Sequence, residues 1–414
     1  VVLFLAFAHV AACDDQATSS DPTDPSDPTP TVLALGDDPG PDDLLPDGDD
    51  AAPDHRALRT KLQDGLDDLR DLGIIGAQAV VRIGDHEIRV RSGVADLRTG
   101  APVPRDGYFR MASNTKTLVA VVALQLIGER KLALEDTVER WLPGVVSGQD
   151  NDGNEITIRQ LLQHTSGLYN FVLDVPTLAS EEAYHQHRFD HLDPADLVAL
   201  ATRHRRLFDP GSHWSYSDTN YVLVGMIINK VTGRPWQAEV ESRILGPLGL
   251  RHTSYPADRP TLPAPHAEAY QQFTTGGPLV DTTLLNATCA DASGGMVGTT
   301  TDMSRFWQAL QRGQLLRPAQ MIQMHADPRL AETLQDFIHG LRYGLGVFWI
   351  PNRCGGFWAH PGDLAGESTY NAVTTDGTRA ASLYLTTALA DPAAAGAATR
   401  RALQVMDDAI CGPE

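Results

Sequence analysis

The chain has 414 residues, a formal net charge of −20 and an apolar fraction of 42 %, enough apolar material for a sizeable core. The charge is uneven, because Asp14 to Asp54 holds thirteen Asp and no Lys or Arg, leaving only −7 for the remaining residues. No basic patch offers a footprint for nucleic acid, and the acidic run repels it, so that class of partner is excluded.

In chain order, residues 1–12 are almost wholly apolar yet too few to span a bilayer as a helix. They read as the centre of a truncated secretory signal peptide. Val10-Ala11-Ala12-Cys13 resembles a bacterial lipobox, which makes Cys13 a lipidation site and places the protein in the bacterial cell envelope. From there to residue 55 the chain is built mainly from Asp, Pro, Thr, Ser and Gly, a composition that cannot bury enough surface to fold. Residues 13–55 are therefore expected to be a disordered acidic tether, and 56–414 a folded domain. A membrane partner is expected only through the lipid.

The folded part opens with a helix from His55 to about Leu72, then alternating strands Ala77–Ile83 and Glu87–Gly93. Ser113-Asn114-Thr115-Lys116 begins the most apolar helical stretch, Leu118 to Ile127. Three residues apart, Ser113 and Lys116 share one face of that helix. A hydroxyl becomes a nucleophile when a neighbouring base takes its proton, and an amine is a base only when neutral. A helix apolar all round is buried, so the ammonium is poorly solvated, and the helix N-terminus disfavours a cation. The pair has the makings of a catalytic centre, although an N-cap serine before a surface lysine has the same spelling.

Helical patterns dominate the centre: Thr157 to His164, ended by Gly167, and Tyr221 to Val231, ended by Gly233. His185, His187 and His191 lie near Asp190 and Asp193, but in a polar helical insertion without metal-ligand spacing, which reads as a solvated face. Strands return with Tyr343–Ile350, Phe357–His360 and a hairpin, Tyr370–Thr375 to Ala380–Leu385, turning at Asp376-Gly377. A helix from about Ala395 to Ile410 closes the chain. Strands at both ends with helices between them predict one sheet completed by both termini. Gly-x-Ser-x-Gly is absent, which excludes the α/β-hydrolase pattern. No cofactor and no metal is called for. Export permits a disulfide among Cys289, Cys354 and Cys411, and spacing alone leaves the pairing open.

Two further motifs follow Ser113-x-x-Lys116 in order: Tyr216-Ser217-Asp218, and His360-Pro361-Gly362 at the end of an apolar strand. With segments such as "IRQLLQHTSGLYNF" and "WSYSDTNYVLVGMIINKVTGRPW", residues 57–411 resemble the serine penicillin-recognising enzymes. These are class C β-lactamases, D-alanyl-D-alanine carboxypeptidases and related esterases, with the secreted actinobacterial D,D-carboxypeptidases most similar. The resemblance implies an α/β (α+β) fold of the β-lactamase/transpeptidase type, with an antiparallel sheet flanked by helices plus a mainly helical region. It implies a disulfide between Cys354 and Cys411, with Cys289 free and near the substrate cleft. Ser113 would be acylated, Lys116 would take or relay its proton, and Tyr216 would pass it to the leaving group. The backbone N–H groups of Ser113 and Asp363 would form the oxyanion hole. Asp218, His360, Gly362 and Asp363 would line the substrate site.

The departures are informative. Asp218 stands where the family has an Asn whose amide donates to the substrate, and a carboxylate cannot donate; it equally well caps the next helix. Pro361 and Asp363 replace two Thr, and Phe348 lies about where the carboxypeptidases keep an Arg; the resemblance implies that those two Thr and that Arg would hold the substrate's carboxylate, and all three are replaced here. The implied activity is a D-alanyl-D-alanine carboxypeptidase-like hydrolase acting on peptidoglycan stem peptides, with β-lactams as acylating ligands. The alternatives are an esterase, amidase or β-lactamase of the same fold acting on a small ester or amide, or a penicillin-binding protein that does not turn over.

Overall fold

The computed structural model describes residues 53–412. The signal-like start, Cys13 and the tether up to residue 52 lie outside the described residues. The first helix, Pro53–Asp71, starts three residues before the expected domain boundary. Its Leu58, Leu62, Leu66 and Leu69 form a buried stripe at helical spacing. That stripe packs on the sheet beside the closing helix Pro392–Cys411, which contributes Ala398, Ala402, Val405 and Met406. The two helices cross closely at Gly65, where a Cβ would lie 2.6 Å from Val405 Cγ2.

The main sheet is antiparallel and drawn from both ends of the chain. Its order is His86–Gly93, Gly76–Ile83, Arg379–Leu385, Glu367–Val373, Phe357–Ala359, Phe348–Ile350, Arg342–Tyr343 and Arg329–Leu330, with Gly362–Leu364 also paired to Glu367–Val373. Register pairs Ala79 with Leu383 and Val81 with Ala381, so alternate side chains enter the core under the terminal helices. The opposite face carries helix Thr300–Gln311 and, beyond it, the helical region. At its centre, helix Thr115–Gly128 buries every residue from Thr115 to Leu124. Helix Asp218–Thr232 packs beside it and ends at Gly233 in the left-handed conformation, φ 69°. No helix among the described residues is long and apolar enough to cross a membrane.

Three expected elements are broken, each for a local reason. The strand expected over Tyr343–Ile350 is a hairpin in which Tyr343 faces Phe348. Its turn carries Gly346 at φ 83°, where a Cβ would sit 2.4 Å from that of Ala120, so only glycine lets the hairpin touch the central helix. The strand expected over Phe357–His360 stops at Ala359 and resumes at Gly362, because Pro361 has no N–H to give the ladder. The helix expected to run to His164 ends at Leu162, and His164 takes φ 59°.

Cys354 and Cys411 are disulfide-bonded across 57 residues, tying the loop after Phe348–Ile350 to the last turn of the closing helix, while Cys289 is a buried free thiol. Replacing both bonded cysteines by Ser should cost about 2–4 kcal/mol. Urea unfolding of the double variant checks this, and an unchanged midpoint would show that the bond constrains nothing.

Candidate active site

Ser113 is presented by a strained turn. The short strand Phe109–Arg110 leads into a 3₁₀ turn, Ala112–Asn114, and Ala112 adopts φ 48°, a left-handed conformation that costs about 1 kcal/mol or more for a residue with a Cβ. The surrounding sheet holds the turn in place. Asn114 Nδ2 donates to Met111 O at 3.0 Å and to Thr369 Oγ1 at 2.6 Å, and Asn371 donates to Asn114 Oδ1. Both Thr369 and Asn371 stand on strand Glu367–Val373. Gly362 lies against the turn from the next strand, where a Cβ would come within 2.9 Å of Ser113 N. This close approach puts the edge holding Asp363 beside the serine.

Lys116 is fully buried one turn further on. Its Nζ is 3.0 Å from Ser113 Oγ, 2.6 Å from Asp218 Oδ1 and 2.8 Å from Ser293 O. It also sits 4.8 Å from the centre of the Tyr216 ring. Burial pushes its pKa down, and the Asp218 carboxylate opposes that shift without cancelling it. Asp218 is the first residue of its helix, with Ser217 at the cap position, so its carboxylate does not cap the helix. It holds Lys116 through Oδ1 and accepts from Asn170 Nδ2 through Oδ2 at 3.1 Å.

Burial raises the pKa of the Tyr216 hydroxyl well above its ordinary value, Asp218 adds to the rise, and a hydrogen bond with Ser113 opposes it. Behind Tyr216, with ring centres 4.3 Å apart, lies His164, whose Nδ1 accepts from Ser217 N and Asn220 Nδ2 at 3.3 and 3.0 Å. Burial and the nearby Lys116 charge keep His164 neutral, and its buried Nε2–H has no hydrogen-bond acceptor among the described residues. Sequence reading assigned His164 no role, although the segment containing it was part of the resemblance.

His360 does not reach the cleft, contrary to the expectation that it would contact substrate. It is completely buried, accepting from the Tyr343 hydroxyl at Nε2 (3.0 Å) and donating from Nδ1 to Pro361 O (2.8 Å). Burial, with Lys116 nearby, lowers its pKa to about 3. Phe348 also lies away from the cleft, within the core under the terminal helices, because it is on the inward phase of its strand. Pro361 faces an apolar space there with Phe348 and Met406.

The cleft beside Ser113 has an apolar wall of Val172, Val175, Leu178 and Leu364. Its polar side is Ser113, Asn170, Tyr216, Asp218, Ser293 and Asp363, and among the described residues no Arg or Lys lines it. Asp363 accepts from Ser368 Oγ at 2.7 Å. Cys289 lines the cleft too, its thiol pushed up to about 11 by burial, so it is no ready nucleophile at neutral pH. His187 and His191 are instead exposed, paired with Asp190 and with Asp258 and Asp193. Among the described residues no group of three metal-ligating side chains forms.

A serine whose hydroxyl meets a buried lysine and a tyrosine, on a turn beside an antiparallel sheet, defines a class of acyl-transferring serine hydrolases. The family described as Beta-lactamase matches residues 57–406, and the chain belongs to it. Among curated proteins, Esterase EstB of Burkholderia gladioli is 37 % identical over 203 residues, 46 % of this chain and 50 % of that one. The chain spans about half the length of the first curated relatives it matches. Among solved structures, a D-stereospecific amidohydrolase from Streptomyces sp. is 34 % identical with a TM-score of 0.78, covering 86 % of this chain and 99 % of that one. D-amino acid amidase from Ochrobactrum anthropi SV3, solved with D-phenylalanine, is 25 % identical with a TM-score of 0.72, covering 85 % and 99 %.

The buried histidines give the site an acid limit. An unfolded histidine takes up a proton near pH ~6.5, whereas folded His360 does so only at about 3. Between these values the unfolded chain binds more protons, so stability is lost as pH falls through that window. Each such group contributes up to about 1.4 kcal/mol per pH unit. Urea unfolding at about pH 7, 6 and 5 should show this, and His360→Gln should lose stability less steeply over the lower step. Equal slopes in the two proteins would mean that His360 is not held neutral.

Proposed function

We propose that this protein is an acyl-enzyme serine hydrolase for esters or amides of D-amino acids whose leaving group lacks a free carboxylate. One observation carries the substrate choice: beside Ser113 the cleft is lined by Asp363, and among the described residues no Arg or Lys lines it, the buried Lys116 below the serine being already paired with Asp218. A D-Ala-D-Ala terminus that brought its carboxylate toward Asp363 would meet no Arg or Lys lining the cleft among the described residues. An uncharged ester or amide needs none. Similarity to an esterase and to a D-stereospecific amidohydrolase supports the same choice.

In this mechanism Ser113 Oγ attacks the acyl carbonyl as its proton moves to neutral Lys116 Nζ, 3.0 Å away. Two opposite pKa shifts favour this assignment: burial moves Lys116 toward the neutral base and Tyr216 away from the anion. Tyr216 therefore acts as a protonated relay, handing a proton to the leaving group. The N–H groups of Ser113 and Asp363 stabilise the oxyanion, and water then hydrolyses the ester on Ser113. We assign the enzyme to the bacterial cell envelope, held by lipid on Cys13 through the acidic tether.

Ser113→Ala should lower turnover by ~10⁴-fold or more. The specificity test compares an N-acylated D-Ala-D-Ala peptide with its C-terminal methyl ester or amide. The capped form should have the higher kcat/KM by roughly tenfold or more, the loss expected when a carboxylate finds no charge-assisted partner. Asp363→Thr should narrow the gap. A free acid preferred tenfold would defeat this reading.

A further inference from the structure

Arg110 and Glu367 are charged residues that the mechanism above does not use, and both are buried. Their side chains are 2 % and 1 % exposed, and neither lines the cleft. Taking such charges out of water is costly unless they are paired and hydrogen-bonded. Arg110 Nε lies 3.7 Å from Glu367 Oε2, and Arg110 Nη2 donates to Pro260 O at 2.6 Å and to Thr283 O at 2.8 Å. Glu367 Oε1 accepts from the Arg110 backbone N–H and from the Tyr384 hydroxyl, each at 3.1 Å. Burial pushes the Glu367 pKa up, and the Arg110 guanidinium opposes that rise.

The pair joins the two pieces of backbone that supply the oxyanion hole. Arg110 ends the short strand that leads into the serine turn, three residues before Ser113. Glu367 opens strand Glu367–Val373 and is the register partner of Leu364, the residue after Asp363. Further along the same strand, Thr369 and Asn371 grip Asn114 beside the serine. Asp363, opposite Ser368, therefore lies between two clamps, and Glu367 is the one at the hairpin turn. The segment that takes both Nη2 hydrogen bonds reaches the same turn, where Thr282 Oγ1 donates to Ala365 O at 3.0 Å. One guanidinium ties together the serine strand, the Asp363 hairpin and the segment packed on its tip.

We propose that the buried Arg110–Glu367 pair fixes the spacing between the Ser113 and Asp363 N–H groups, which makes both residues positioning residues for the oxyanion hole. The inference rests on the acyl-enzyme reading above. Two donors stabilise a developing oxyanion only when both reach it at about 2.7–3.1 Å. A misplacement of ~1 Å costs roughly 100-fold in rate. Substrate binding depends on that spacing far less, because the apolar wall of the cleft contacts the rest of the molecule. Loss of the pair lowers kcat and leaves KM nearly unchanged.

The test uses a double variant, Arg110→Met with Glu367→Leu, which removes both charges together and leaves neither buried alone. Glu367→Gln keeps the shape and the acceptor for Arg110 N, and guards against a fold defect in the double variant. The substrates are an N-acetyl-D-alanyl ester and the matching thionoester, in which sulfur replaces the carbonyl oxygen. Sulfur is a weak acceptor and stands farther from carbon, so donors spaced for oxygen select the ester. The readout is the ester-to-thionoester ratio of kcat/KM, in which changes to the Ser113–Lys116 chemistry cancel. In the double variant kcat for the ester should fall about 100-fold and the ratio about tenfold, with Glu367→Gln between it and the wild type. A ratio that falls by about threefold or more in either variant supports the proposal. A ratio that holds in both, whatever the loss of kcat, overturns it and leaves the pair a tie of the fold alone. A wild-type enzyme that forms no Ser113 adduct with the ester overturns the acyl-enzyme reading and this proposal with it, and mass spectrometry of the trapped protein separates the two failures.

Discussion

The 2.6 Å contact between Lys116 Nζ and Asp218 Oδ1 is the interaction on which the site depends. An ammonium with no exposed surface is costly unless it is paired and hydrogen-bonded. Here four parts of the chain converge on one nitrogen: the serine turn, the central helix, the first turn of helix Asp218–Thr232 and the carbonyl of Ser293. The contact is therefore also a constraint on the fold. The helices must cross where the lysine reaches the carboxylate, and the apolar run from Leu118 to Leu124 supplies the packing that holds them. The same burial that makes the lysine expensive to charge makes it a useful proton acceptor.

A second layer keeps those groups in register. His164 lies under the Tyr216 ring, and His360 under the hairpin bearing Tyr343, both neutral and both within the field of Lys116. Neutral imidazoles let a polar layer sit behind the cation without adding charge to it. Positive φ at Ala112, at His164 and at Asp291, two residues before Ser293, marks places where the chain bends sharply to set this arrangement. Such strain persists where surrounding structure over-determines it, and at Ala112 the Asn114, Thr369 and Asn371 hydrogen bonds do so.

Much of this was legible in the sequence, for identifiable reasons. The Ser113–Lys116 spacing and the apolar run after it are local, so the buried lysine followed from helix geometry. Alternation at both chain ends was enough to infer a sheet closed by both termini, and the resemblance named the pair Cys354 and Cys411. What could not be read was set by contacts between distant segments. The phase of Phe348 depends on a hairpin turn at Gly346 that touches Ala120, and a linear pattern does not encode that contact. His360 is buried because Tyr343 covers it, and Asn170 matters only because Asp218, 48 residues later, folds against it.

The central claim is that Lys116 is the base and that Asp218 sets its pKa. Neutral lysine is required for acylation, so the acylation rate should fall as pH drops below the Lys116 pKa. The carboxylate stabilises the ammonium and raises that pKa relative to burial alone. The direct measurement is the pH dependence of Ser113 acylation by a chromogenic ester in the wild type and in Asp218→Asn. The acid limb should move to lower pH in the variant. A limb that stays in place, or moves to higher pH, would contradict the assignment of Lys116 as the base.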